Sequence, residues 1–146
     1  MHKRVIKHLD SFADSIFNSI NAISEKCIEI FREIEEDREY TNNLIKTKTE
    51  ISPVYRTRLP KLIRMNQALL KTLGASSPNI DFLCNIAWKY KLVGKLTGKD
   101  KGRLMFVLLP MNLKMQGYIA AITEEFKKHS FSTVTTELFC DGVRLE

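Results

Sequence analysis

The chain has 146 residues, of which 44% are hydrophobic and 27% charged, with 23 Lys and Arg against 17 Asp and Glu. That length suffices for one domain, expected over 1–146, with a single real core, and the balance is that of a soluble globular protein, not a disordered or fibrous one. No apolar run approaches the ~20 residues of a membrane span and no signal-peptide core follows the basic start Met1–Lys7, so a cytoplasmic protein without a membrane partner is expected.

Cys27, Cys84 and Cys140 are far apart, odd in number and set among apolar neighbours, which fits reduced core thiols better than a disulfide framework. His2, His8 and His129 have no Cys or carboxylate at ligand spacing, so no metal site is expected. Charge is uneven. Residues 1–37 carry five basic and eight acidic side chains, whereas Arg56, Arg58, Lys61, Arg64 and Lys71 form a basic run free of acids. Lys89, Lys91, Lys95, Lys99, Lys101 and Arg103 are opposed only by Asp100. Such a surface is either a solvated face or an anion-attracting patch.

In chain order, Val5, Leu9, Phe12, Ile16, Ile20, Ile23, Cys27, Phe31 and Ile34 recur in steps of three and four, the stripe of an amphipathic helix with a soft break near Asn21 at most. The polar stretch 35–52 reads as a loop. Ser52-Pro53 then offers an N-cap and a first-turn proline for a second helix, kinked or restarted at Pro60. Its buried face is Leu59, Leu62, Ile63, Leu69, Leu70 and Leu73, and Gly74 ends it. Ser77-Pro78 repeats the start signal, with Asp81 in the first turn where the helix dipole favours a negative charge. Ile80, Leu83, Cys84, Ala87 and Trp88 carry this third helix to about Tyr90. Strands are expected near 92–97 and 104–109, the second buried on both faces because Leu104–Leu109 is unbroken apolar sequence. A helix using Leu113, Tyr118, Ile119, Ile122 and Phe126 follows, then a strand over 131–139 and a last one at 143–145 after the Asp141-Gly142 turn. The class is therefore α+β, with helices on one face of a small, mostly antiparallel four-stranded sheet.

Between the two central strands lies Gly94-Lys95-Leu96-Thr97-Gly98-Lys99-Asp100-Lys101-Gly102-Arg103. Its glycines permit positive φ and close approach of backbone N–H groups to an anion; the plainer alternative is a hairpin with a solvated basic tip. No G-x-x-x-x-G-K-[ST] pattern occurs, which excludes a P-loop.

Met65-Asn66-Gln67, Leu70, Leu73-Gly74, Ser77-Pro78, Leu83-Cys84 and Lys95-Leu96-Thr97-Gly98, taken in this order and at these gaps, resemble the C-terminal half of the mevalonate kinases, within the galactokinase, homoserine kinase, mevalonate kinase and phosphomevalonate kinase (GHMP) superfamily. Ser19–Ser24 and Asp141-Gly142-Val143 extend the resemblance over about 12–146. It implies the ferredoxin-like GHMP C-terminal domain. It also implies a role in ATP- and Mg²⁺-dependent phosphorylation of mevalonate in isoprenoid and sterol synthesis. Lys95, Thr97, Gly98 and Gly102 would line the substrate and nucleotide pocket. Lys99, Asp100, Lys101 and Arg103 depart from the family's alanine and glycine run, and Lys99, Lys101 and Arg103 are candidate phosphate contacts instead. The family's catalytic Asp, activating Lys and Gly-Leu-Gly-Ser-Ser phosphate loop have no match in this sequence. No catalytic residue, no phosphotransfer and no tight ATP or Mg²⁺ binding are therefore expected of this chain alone. Its expected partner is an N-terminal kinase half or a homodimer mate. A degenerate, non-catalytic relative acting as a binding or regulatory partner is the alternative, and a basic nucleic-acid-binding domain is a weaker one, since only Trp88 and Tyr90 lie near the patch.

Overall fold

A computed structural model describes residues 2–43, 53–98, 104–109 and 116–136. They form α1 (His2–Asn43), α2 (Pro53–Thr72), α3 (Pro78–Lys89), β1 (Val93–Leu96), β2 (Met105–Leu108) and α4 (Gln116–Lys128). The architecture is α+β. β1 and β2 pair antiparallel, with Val93 opposite Leu108 and Leu96 opposite Met105.

α1 runs without interruption through both Asn21 and the stretch 35–43 expected as loop. Its polar residues are absorbed into the helix. The Ser15, Ser19 and Ser24 hydroxyls donate to carbonyls one turn back, and Asn21 Nδ2 donates to Glu25 Oε1 at 2.9 Å. Polarity alone does not stop a helix built of Glu and Arg with no Gly or Pro; residues 44–52 lie outside the described set. The buried stripe is also rotated from the expected one. Ala13, Ile16, Ile23 and Ile30 are buried, while Phe12 and Phe31 are exposed. α2 likewise neither ends nor restarts at Pro60.

Helices cover both faces of the hairpin, not one. Ile30 of α1 with Leu59 and Ile63 of α2 pack on Val93 and Leu108. Leu83, Ile86 and Ala87 of α3 with Ile122 and Phe126 of α4 pack on Leu92, and Met105, Val107 and Leu109 join from the same side. The register explains this division. Alternation in antiparallel strands puts Val93, Lys95, Phe106 and Leu108 on the α1–α2 face, and Gly94, Leu96, Met105 and Val107 on the α3–α4 face. Leu108 is buried, but Phe106 is 41% exposed and Leu104 49%. The α1–α2 layer thus covers the base of the hairpin while its tip projects, and β2 is not the doubly buried strand its composition suggests.

Of the four expected strands, two are β1 and β2. Residues 131–136 carry no strand pairing, and Val134 is 92% exposed. Ser132–Thr136 has β-forming residues but no alternating apolar face to bury. Residues 137–139 and 143–145 lie outside the described set. α4 is seen from Gln116; Ile122 and Phe126 are buried as expected, and Tyr118 is exposed. Among the described residues no helix is long and apolar enough to cross a membrane.

Three helices end alike. After α2, Gly74 N–H donates to Lys71 O and Ala75 N–H to Leu70 O; after α3, Lys91 to Trp88 and Leu92 to Ala87; after α4, Ser130 to Lys127 and Phe131 to Phe126. Each pair is a Schellman closure with a left-handed residue between, at Gly74 (φ 67°), Lys91 (φ 59°) and Ser130 (φ 64°). After α3 and α4 the residue past the cap is apolar and meets the last helical turn: Leu92 and Ala87 share one core cluster, against which Phe131 packs beside Phe126. Only Gly74 is free of the Cβ penalty. Replacing exposed Lys91 with Gly is expected to raise stability by about 0.5–1 kcal/mol, read in a thermal melt as a rise of roughly 2–3 °C. Lys91→Ala, which keeps the Cβ, should leave the melt near wild type; equal shifts for the two variants would contradict the assignment.

Candidate functional site

The expected site lies at the tip of the hairpin, and the structure describes its base. Thr97 N–H donates to Leu104 O at 2.9 Å, and its Oγ1 donates to the same carbonyl at 3.3 Å. The residue that follows β1 is thereby tied to the first described residue after the loop. Gly98 is exposed, and a Cβ added there would meet nothing within 4 Å. Lys99, Lys101, Gly102 and Arg103 lie outside the described residues. Of the expected site residues the structure describes Lys95, Thr97 and Gly98, which are near-neighbours along the chain at the end of β1.

Gly94 is covered by packed side chains. A Cβ there would push aside the Met105 methyl, the flexible end of that side chain, and lie 3.6 Å from Cys84 Sγ, so the space beside this glycine is filled by the protein itself. Lys95 points to the opposite face. Its ammonium donates to Leu96 O at 3.1 Å. Burial holds its pKa below the ordinary lysine range, with Cys27 opposing that fall.

β1 has one edge against β2 and one turned away. Since Thr97 N–H points to Leu104, the backbone groups of Leu96 and Gly94 point outward. Three of these groups are satisfied by side chains. Leu96 N–H donates to Gln67 Oε1 at 2.9 Å, Leu96 O accepts from Lys95, and Gly94 O accepts from Cys84 Sγ at 3.5 Å. Gln67 is buried in α2; its Nε2 donates to Ser76 Oγ at 3.0 Å, and Ser76 Oγ donates to Asp81 Oδ1 at 2.7 Å. Asp81 Oδ2 closes the chain with Lys71 Nζ at 2.9 Å. Sequence reasoning gave Asp81 only its favourable place in the first turn of α3, where Ser77 does cap the helix by accepting from Ile80 N–H. It missed Gln67 and Ser76 as partners. A polar pair inside the apolar run of α2, at Asn66-Gln67, was the available signal.

The basic run on α2 is largely engaged within the fold. Arg58 Nη1 lies 3.0 and 3.3 Å from the Glu33 carboxylate oxygens, Arg64 stacks 4.0 Å over the Trp88 ring, and Lys71 pairs with Asp81. Trp88, the aromatic nearest the patch, is thereby covered on one face by a cation of its own chain.

Burial pushes the Cys84 thiol up to about 11, the Asp81 carboxylate adds to the rise and Lys71 opposes it. Burial raises Cys27 as well, with Lys95 opposing. Both are thiols at neutral pH, hydrophobic in behaviour and poor nucleophiles. Because the folded chain holds the Cys84 proton more tightly than the unfolded chain, the resulting stability is present below the ordinary thiol pKa and is lost as pH rises toward 11. Alkylation by iodoacetamide, followed at Cys84 by peptide mass spectrometry, is expected to have its midpoint near 11 in the native chain and near ~8.5 in urea. Coincident midpoints would show that Cys84 is not held buried between α3 and β1.

No family model matches the chain. Over 144 residues it is 28% identical to the mevalonate kinase of Arabidopsis thaliana, a match covering 98% of this chain and 33% of that enzyme. The chain spans about a third of the length of the curated relative that it matches, and the similarity ties it at a distance, from end to end, to a mevalonate kinase.

Proposed function

We propose that this chain is the C-terminal part of a mevalonate kinase-like enzyme of the GHMP class, a single domain that supplies one wall of a phosphotransfer site and has no phosphotransfer activity alone. The observation that carries this reading is the end-to-end similarity to a mevalonate kinase, combined with the order of Met65-Asn66-Gln67, Leu73-Gly74, Ser77-Pro78 and Lys95-Leu96-Thr97-Gly98 along it. The geometry is compatible: the first three stretches lie on or next to α2 and α3, the helices that pack on the two faces of the hairpin and reach the free edge of β1. Phosphoryl transfer is achieved by positioning and by charge stabilisation. Thr97, Gly98 and Lys95 would contribute positioning of ATP or mevalonate. Mg²⁺ would supply charge neutralisation at the phosphates, held by groups outside this chain, and the attacking hydroxyl would be activated there too. The working enzyme would be cytoplasmic and would join this domain to an N-terminal half.

The second reading, a non-catalytic relative that binds or regulates an intact kinase, is favoured by Lys99, Asp100, Lys101 and Arg103, whose side chains stand where the resemblance calls for a glycine run.

A fusion separates the two. The chain replaces its matching segment in the Arabidopsis thaliana enzyme, and mevalonate-dependent ADP release is measured for the fusion and for the chain alone. Activity in the fusion and none in the chain is expected. A cooperatively melting but inactive fusion would favour the regulatory reading, and activity in the isolated chain would overturn both. Within an active fusion, Thr97→Ala should lower phosphotransfer more than Lys101→Ala; equal losses would deny Thr97 the role assigned to it.

A further inference from the structure

Gln67 and Asn66 are the buried polar residues among those described, and the bonds of Gln67 have a single polarity. Leu96 N–H donates to its oxygen, its nitrogen donates to Ser76, and Ser76 in turn spends its proton on Asp81. The amide therefore cannot turn over. A flipped Gln67 would set its NH₂ against the Leu96 N–H, donor to donor, and its oxygen against a hydroxyl whose proton is already committed. Asp81 is fixed in turn by Lys71 and by its place in the first turn of α3. Leu96 is 6% exposed, so a water cannot readily take over its N–H. One end of this chain of bonds is the connection between α2 and α3. The other is the last residue of β1, immediately before Thr97 and Gly98.

We propose that Gln67 is a positioning residue: through it, the Ser76–Asp81 turn sets the direction in which β1 leaves the sheet, and hence where the Thr97 hydroxyl and Gly98 backbone are presented to a phosphate-bearing ligand. The ligand clause rests on the function proposed above; the positioning itself is measurable in the chain as it stands. Gln67→Met keeps the size of the side chain and removes both bonds. Gln67→Glu restores the acceptor for Leu96 alone. Ser76→Ala leaves Gln67 in place and removes what orients it.

Amide shifts and hydrogen exchange are followed on the ¹⁵N-labelled chain, beside a thermal melt. In Gln67→Met, exchange at Leu96 is expected to accelerate about tenfold or more relative to amides in α2, with Thr97 and Gly98 displaced. Gln67→Glu should return the Leu96 amide to its hydrogen-bonded position. Ser76→Ala should move Leu96, Thr97 and Gly98, some 20 residues away in sequence, in the same direction by a smaller amount. The proposal is overturned if Ser76→Ala leaves those three amides in place, if Gln67→Glu gives no return, or if Gln67→Met speeds all amides alike, as a merely structural loss would. No nucleotide is present in any sample, so a negative result bears on positioning alone, and an inactive fusion bears on the kinase reading alone.

Discussion

A two-stranded hairpin exposes two faces and two edges, and in water it is marginal by itself. Everything in this fold follows from closing those surfaces. α1 and α2 take the face that carries Val93 and Leu108, and α3 and α4 take the face that carries Leu92, Met105 and Val107. The edge of β1 turned away from β2 is closed by single side chains, Gln67, Cys84 and Lys95. An edge N–H left unpaired under a helix would cost roughly 1–3 kcal/mol. Gln67 thus removes a penalty comparable with burying an aliphatic side chain.

This division of labour explains which parts of the fold were legible in the sequence. Signals acting within one turn of chain were readable: Ser77-Pro78 with Asp81 starts α3, Gly74 ends α2, and the stripe of three and four identifies α1. Signals that depend on tertiary partners were not. Lys91 and Ser130 take left-handed caps because Leu92 and Phe131 must reach the core just past the helix end, and nothing local marks either residue. Residues 35–43 look like loop only if polarity is taken for a break. Leu104–Leu109 suggests a strand buried on both faces of a small sheet, whereas burial here falls off along β2 from Leu108 to Phe106.

The candidate site shows the same contrast. Composition drew attention to glycines and lysines, and the structure separates them by cause. Gly94 belongs to packing, since Met105 and Cys84 fill the space beside it, whereas Gly98 sits in the open. Of the basic run on α2, Arg58, Arg64 and Lys71 each have a partner in their own chain. Their charge is therefore partly spent on holding helices together, which weakens the reading of that run as a nucleic-acid track. A sequence shows the count of charges but not their assignment.

That assignment also bears on what the hairpin can bind. Both polar side chains at its base are turned back on the protein, Lys95 to the Leu96 carbonyl and Thr97 to the Leu104 carbonyl. A ligand that draws them outward must replace those bonds. For the Thr97 hydroxyl a neutral acceptor offers about the same net 0.5–1.5 kcal/mol that is given up and a charged one about 1.5–3, whereas the Lys95 ammonium gives up a bond already strengthened by its own charge. Exchange at Thr97 is thus close to neutral for a hydroxyl or amide and favourable for a phosphate, while at Lys95 burial already disfavours the ammonium in its present place.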